Sequence, residues 1–231
     1  MPPSSRSIVT RLALCWLLAC AAVAASAATG RIAVAGTWAT GHIGLLARHG
    51  MPRERLLDPQ LTDPEVLRRY DVVIVSGTVR NWDAAQPVVE QYVRDGGCTL
   101  LECTALPSAE ALPGQRLPAQ AGPNFVLDAS DHPAVAGLGS RKTYPHHGDP
   151  AAAIVPDPTS GAVVLARFTE EGANDKIRGK FVLNGQSVPA ILYRPLGQGH
   201  LVYSGPWLGD ALAFGAAEDD LVFALDRKSV V

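Results

Sequence analysis

The chain has 231 residues, of which 47% are apolar, enough for a packed core in one or two domains. Its net charge of −2 excludes a polybasic surface, so nucleic acid is not an expected partner.

Arg6 and Arg11 form a positive leader, Leu12 to Ala24 an apolar run, and Ala25-Ser26-Ala27 a small-residue cleavage site. This pattern predicts a secretory signal peptide over residues 1–27, cleaved after Ala27, and a secreted or periplasmic protein. Leu17-Leu18-Ala19-Cys20 is similar to a lipoprotein box, so a lipid anchor on Cys20 is the less favoured alternative. No stretch is long and apolar enough to predict a membrane span.

Residues 28–231 read as a single domain. Arg31 to Gly36 is a first strand, followed by a helix from about His42 to His49 that Gly50 stops. Gly36 and Gly41 have the spacing of a phosphate loop, but His42-Ile43 stands where Lys-Ser/Thr is needed, so no nucleotide is expected. Arg55 to Asp58 is a candidate second strand, and Asp63-Pro64 caps a short helix. The organising segment follows. Asp71-Val72-Val73-Ile74-Val75-Ser76-Gly77 is a β-branched run without alternation, as in a strand covered on both faces. Val88, Val89, Tyr92 and Val93 give a helical stripe, its start expected between Asp83 and Pro87 because proline suits the first turn. Gly96-Gly97 ends it, and Cys98 to Cys103 is the next strand. Strand, crossover helix and strand make a βαβ unit.

Ala105 to Pro123 has no period and reads as a surface excursion. Asn124 to Leu127 is a short strand, and Ser140 to Pro158 is again irregular. Ala162 to Phe168 and Phe181 to Leu183 are apolar runs. Ala190–Arg194 and His200–Ser204 flank Leu196-Gly197-Gln198-Gly199 as a hairpin, and Ala216 to Arg227 is a final helix.

Taken together, Asp71 to Gly77, Tyr92-Val93-Arg94-Asp95-Gly96-Gly97, Asp131-His132-Pro133 to Gly137-Leu138, and Pro189 to Tyr203 with Gly197-Gln198-Gly199 resemble the class I glutamine amidotransferase-like superfamily. Within it the chain is most similar to the ThuA-like (trehalose-utilisation-like) secreted proteins. The resemblance implies an α/β, flavodoxin-like, doubly wound and mostly parallel sheet with antiparallel C-terminal hairpin strands. Amidotransferases carry a Gly-x-Cys-x-Gly nucleophile elbow and a later His-x-Glu. Both patterns are absent, so glutaminase activity is not expected. The ThuA-like pattern ends its last hairpin strand in Gly-His, where this chain has Ser204-Gly205-Pro206-Trp207.

Ligands of open α/β sheets sit beyond the carboxyl ends of the strands. That rule selects Thr37, Trp38, Thr78, Trp82 and Trp207 as ligand-binding candidates, the tryptophans as a stacking platform for a sugar. The blander reading, which the part-buried habit of tryptophan favours, is that each merely caps the core under a loop. Glu102 and Cys103 are candidate acid and nucleophile, although neighbours on a strand face opposite ways. Cys98 and Cys103, five apart on one strand, lie about 16 Å apart at about 3.3 Å per residue. They are therefore expected as two buried free thiols. His146 and His147, with Asp149, are the remaining catalytic candidates, but their spacing matches no established zinc pattern. No metal or cofactor is expected. The leading expectation is a domain binding a small polar ligand such as a carbohydrate. A sugar-active hydrolase or isomerase and a non-catalytic interaction module stay open as alternatives.

Overall fold

The computed structural model describes residues 30–120, 124–129, 131–135, 143–144, 151–169, 182–183 and 185–213. The leader over residues 1–27, the expected helix from Ala216 to Arg227, and His146, His147 and Asp149 lie outside the described residues.

Four of the five parallel strands come first in the chain. β1 (Ile32–Ala35) leads into α1 (Ala39–Arg48), and β2 (Arg53–Arg55) follows. A 3-10 turn over Asp58–Thr62 and α2 (Pro64–Leu67) deliver the chain to β3 (Val72–Val75), and α3 (Trp82–Arg94) crosses to β4 (Cys98–Glu102). Later come β5 (Gly114–Gln120), β6 (Asn124–Leu127), β7 (Thr143–Tyr144), β8 (Ala151–Pro156) and β9 (Val163–Thr169). β10 (Val182–Leu183) and β11 (Gln186–Ser187) are short, and β12 (Pro189–Leu196), β13 (Gly199–Ser204) and α4 (Leu208–Ala213) close the described chain.

Nine of the described strands form one sheet in the order β2-β1-β3-β4-β13-β12-β9-β6-β7. β2, β1, β3, β4 and β13 run parallel; β12, β9, β6 and β7 add on antiparallel. The expected flavodoxin-like α/β architecture with an antiparallel C-terminal hairpin is therefore present. The chain runs from β1 outward to β2 and then back past β1 to β3. That reversal creates a topological switch point between β1 and β3.

Strand parity divides the core. Ile32, Val34, Val72, Ile74, Leu100 and Val202 face α1 and α4, packing with Leu45, Leu46 and Leu208. Ala33, Ala35, Val73, Val75, Leu101 and Tyr203 face α3 and the 3-10 turn, packing with Val89, Val93, Leu56 and Leu61. Both helix ends expected from glycine are met. Gly50 and Gly96 take positive φ, and the amides of Gly50 and Met51, and of Gly96 and Gly97, close paired Schellman-type bonds onto the preceding turn.

Four expectations shift. The second strand is Arg53–Arg55, two residues early, since Leu56 turns into the core. α3 begins at Trp82, so Pro87 lies inside the helix. Its ring is on the exposed side of the helix. β4 stops at Glu102, so Cys103 is not on the strand. The excursion from Ala105 to Pro123 and the irregular stretch from Ser140 to Pro158 contain β5 and β8, which pair with each other antiparallel. Neither has a β-branched pattern strong enough to read alone. Pairing across a long sequence separation supplies the order, and Ala111, Leu112 and Ile154 bury beneath it.

Candidate functional site

The site grows from the small residues that end β1 and β3. Gly36 and Gly77 have φ of 92° and 81°. A Cβ on Gly36 would strike the Ser76 carbonyl, and one on Gly77 would strike Thr37 Oγ1 and the Trp38 ring. Only glycine permits this approach. The two loops are then tied by Thr37 N–H to Thr78 O at 3.2 Å, Trp38 N–H to Ser76 O at 3.1 Å, and Thr78 N–H to Thr37 Oγ1 at 3.0 Å. Thr37 and Thr78 thus stand at the switch point, both exposed.

Below this rim lies a buried polar network. Glu102 has the parity of Leu100 and so faces α1, with no exposed surface. Its Oε1 is hydrogen-bonded to His42 Nε2 at 2.8 Å. Its Oε2 accepts from Ser76 Oγ at 2.7 Å and from the Gly209 amide at 3.2 Å. A buried carboxylate is tolerated only when so partnered. Gly209 is small by necessity, because a Cβ there would collide with Ser76 Oγ, Trp38 O and the His42 ring. Asp210, also buried, has its carboxyl raised above the ordinary value by burial and then by the nearby Glu102 charge.

Cys103 follows immediately. Its φ of 44° is left-handed, although it is not glycine and has no glycine beside it. β13 holds this bend from both sides. Cys103 N–H donates to Ser204 O at 2.8 Å, and Tyr203 Oη donates to Cys103 O at 3.1 Å. The sharp turn expected to be missing with the Gly-x-Cys-x-Gly pattern is therefore present in the backbone, imposed by tertiary contacts. The thiol is nonetheless wholly buried, and burial, with the nearby Glu102 charge, pushes it up to about 12, opposed by the Ala152 amide and the Trp207 indole N–H. Among the described residues, the buried Trp207 Nε1 has no oxygen or nitrogen acceptor, and the Cys103 thiol is the group it approaches.

The tryptophans separate. Trp38 and Trp207 are both half-buried, with ring centroids 6.4 Å apart and planes tilted by 46°. Trp82 lies on the opposite face of the sheet, packed against the core around Val75 and Val89, its indole N–H donating to Leu106 O at 2.9 Å. Its place directly after a strand-end loop made it look like a rim residue. α3 carries it to the other side, so it is a core cap and leaves the expected platform of three.

His42, Ser76, Gly209 and Asp210 were not singled out from sequence. A signal existed for two of them. Ser76 continues the parity of Val72 and Ile74, and His42 interrupts the buried stripe of Ala39, Leu45 and Leu46 at helical spacing. Among the described residues, no group of three or more His, Cys, Asp or Glu side chains is placed to hold a metal ion. No helix among them is long and apolar enough to cross a membrane.

No family model matches the sequence, and no curated protein is significantly similar to it. Solved structures do match. A ThuA-like protein from Bacteroides uniformis superposes with a TM-score of 0.63 at 16% identity, covering 87% of this chain and 91% of that one. A Thermoplasma acidophilum protein named as a component of GMP synthase gives 0.55 at 15% identity over 87% and 94%. A β-galactosidase from Bacillus circulans gives 0.53 at 14% identity over 86% of this chain, which spans only 30% of that enzyme. The switch point, the parallel strands and these superpositions agree: the chain has the class I glutamine amidotransferase-like fold in the form seen in ThuA-like proteins.

Proposed function

We propose that this chain is a secreted or periplasmic amidotransferase-like domain that binds a small polar ligand, a carbohydrate, at the carboxyl ends of β1, β3, β4 and β13, and that it lacks glutaminase activity. The observation that carries this reading is the part-buried Trp38–Trp207 pair above the buried Glu102 network. Two tilted rings offer apolar faces to the C–H face of a sugar while its hydroxyls stay wet. The exposed Thr37, Thr78 and Thr104 surround that rim with hydroxyls and serve as its hydrogen-bonding partners. The same fold recurs within a β-galactosidase and an exo-β-1,4-mannosidase, of which it covers 30% and 34%, so it has company among sugar-handling proteins.

Against glutaminase chemistry stands the thiol. A pKa near 12 leaves on the order of one part in 10⁵ as thiolate at neutral pH, and the thiolate is the nucleophile. Glu102 has no exposed surface, which favours binding over a hydrolase or isomerase that would use it as general acid. The leader over residues 1–27 supports export.

The test is a thermal-shift panel of neutral mono- and disaccharides. A sugar should raise the melting temperature, and Trp38→Ala or Trp207→Ala should remove that gain. No shift across the panel, or equal shifts in the tryptophan variants, would overturn the binding reading. Ammonia release from glutamine that disappears in Cys103→Ser would overturn the loss of glutaminase. N-terminal sequencing of exported protein should begin at Ala28.

A further inference from the structure

The backbone ties between the loops after β1 and β3 divide the switch point in two. The tryptophan pair lies on the side of α1 and α4. On the side of α3 a separate open cavity of about 530 Å³ lies against Gly36 at the end of β1, bounded by Arg55, Leu57, Asp58, Arg80 and Asn81. That volume suits a small organic molecule.

Its chemistry differs from that of the tryptophan rim. Two guanidinium groups border one cavity, and among the described residues neither Arg55 nor Arg80 has an ion pair or a side-chain hydrogen bond. One carboxylate, Asp58, shares the cavity, but its Oδ2 accepts from the Arg80 backbone amide at 2.8 Å, so it holds the loop. The formal balance of these three groups is positive. Asn81 takes a left-handed φ of 56° at the start of α3, and its side chain makes no cap hydrogen bond with the helix. Leu57, 66% exposed, supplies an apolar wall at the mouth. Arginines face carboxylates and phosphates through a planar fork of donors that water satisfies less specifically.

We propose that this cavity binds a small organic anion, a carboxylate or a phosphate monoester, held between Arg55 and Arg80 with its apolar part against Leu57. The site is independent of the tryptophan rim.

Binding to the full chain is measured by calorimetry with malonate and with glycerol 2-phosphate as probes, at constant ionic strength set with chloride. At least one probe should bind, and Arg55→Gln or Arg80→Gln should weaken it about tenfold or more. The double variant should abolish it, whereas Trp38→Ala should leave it unchanged. Both arginines are exposed, so the variants should keep the wild-type melting temperature without anion. The tighter probe identifies the anionic group. Absence of binding by both probes, or equal binding in the double variant, would overturn the proposal. A sugar shift that survives in the double arginine variant would keep the two sites distinct.

Discussion

The two ends of β4 make an instructive contrast. At its amino end Cys98 sits under the Schellman turn of α3, where Tyr92 Oη donates to the carbonyls of Tyr70 at 3.2 Å and Cys98 at 3.4 Å. Gly97 lets the Tyr92 ring lie flat against the backbone, since a Cβ there would occupy the ring. At its carboxyl end Cys103 follows Glu102 and its ring of donors. Both thiols are buried, and burial pushes them up, to about 11 and about 12. The cysteines therefore do not distinguish the ends. The carboxylate does. The amino end buries neutral groups that tie secondary structure together. The carboxyl end holds a charge that the fold must partner, beside aromatic surface left half open. A fold seeking stability alone has little reason to retain such a charge, which is why the carboxyl end is the functional candidate.

The contrast can be broken by substitution. The largest effect is expected for Glu102→Ala, which strands His42, Ser76 Oγ and the Gly209 amide in a dry site. Each buried polar group left without a partner costs about 1–3 kcal/mol, so the three together lower the urea midpoint most. Glu102→Gln preserves the shape and should cost less. Tyr92→Phe at the other end removes only one neutral hydroxyl proton, shared between two long contacts, and should cost about 1 kcal/mol. Equal losses at the two ends would erase the distinction.

The smallest effect sharpens it further. Asp210 has a raised carboxyl in the folded state, so folding favours its protonated form. Its contribution is fully present below the ordinary Asp range and is lost as pH rises through the folded value. Asp210→Asn should therefore match wild type in acid and gain in relative stability toward neutral pH. Melting curves of both proteins across that range check the sign, and a relative loss on raising pH would contradict it.

Much of the fold was legible because it is local. The unbroken run from Val72 to Val75, the stripe on α3, the glycine stops and the hairpin around Gly197-Gln198 each depend on near neighbours. β5 and β8 were not, since their partners are remote and their composition is poor in β-branched residues. In the site, Thr37, Trp38, Thr78, Glu102, Cys103 and Trp207 were marked by one rule, that strand carboxyl ends carry ligands. Trp82 was marked by the same rule and does not join them, because proximity to a strand end does not say on which face a following helix will place a side chain.

By itself the sequence determined the early parallel strands with their crossover helix, the C-terminal hairpin, their glycine punctuation and the apolar content of both sheet faces, all consequences of local conformational preference and periodic burial. Only the tertiary structure decided that Glu102 meets His42, Ser76 and Gly209, four residues brought together by sheet order and by α4 closing over α1. It also decided that Cys103 takes a left-handed bend without a glycine neighbour, because the contacts that hold the bend come from Tyr203 and Ser204 on the adjacent strand, about a hundred residues away along the chain.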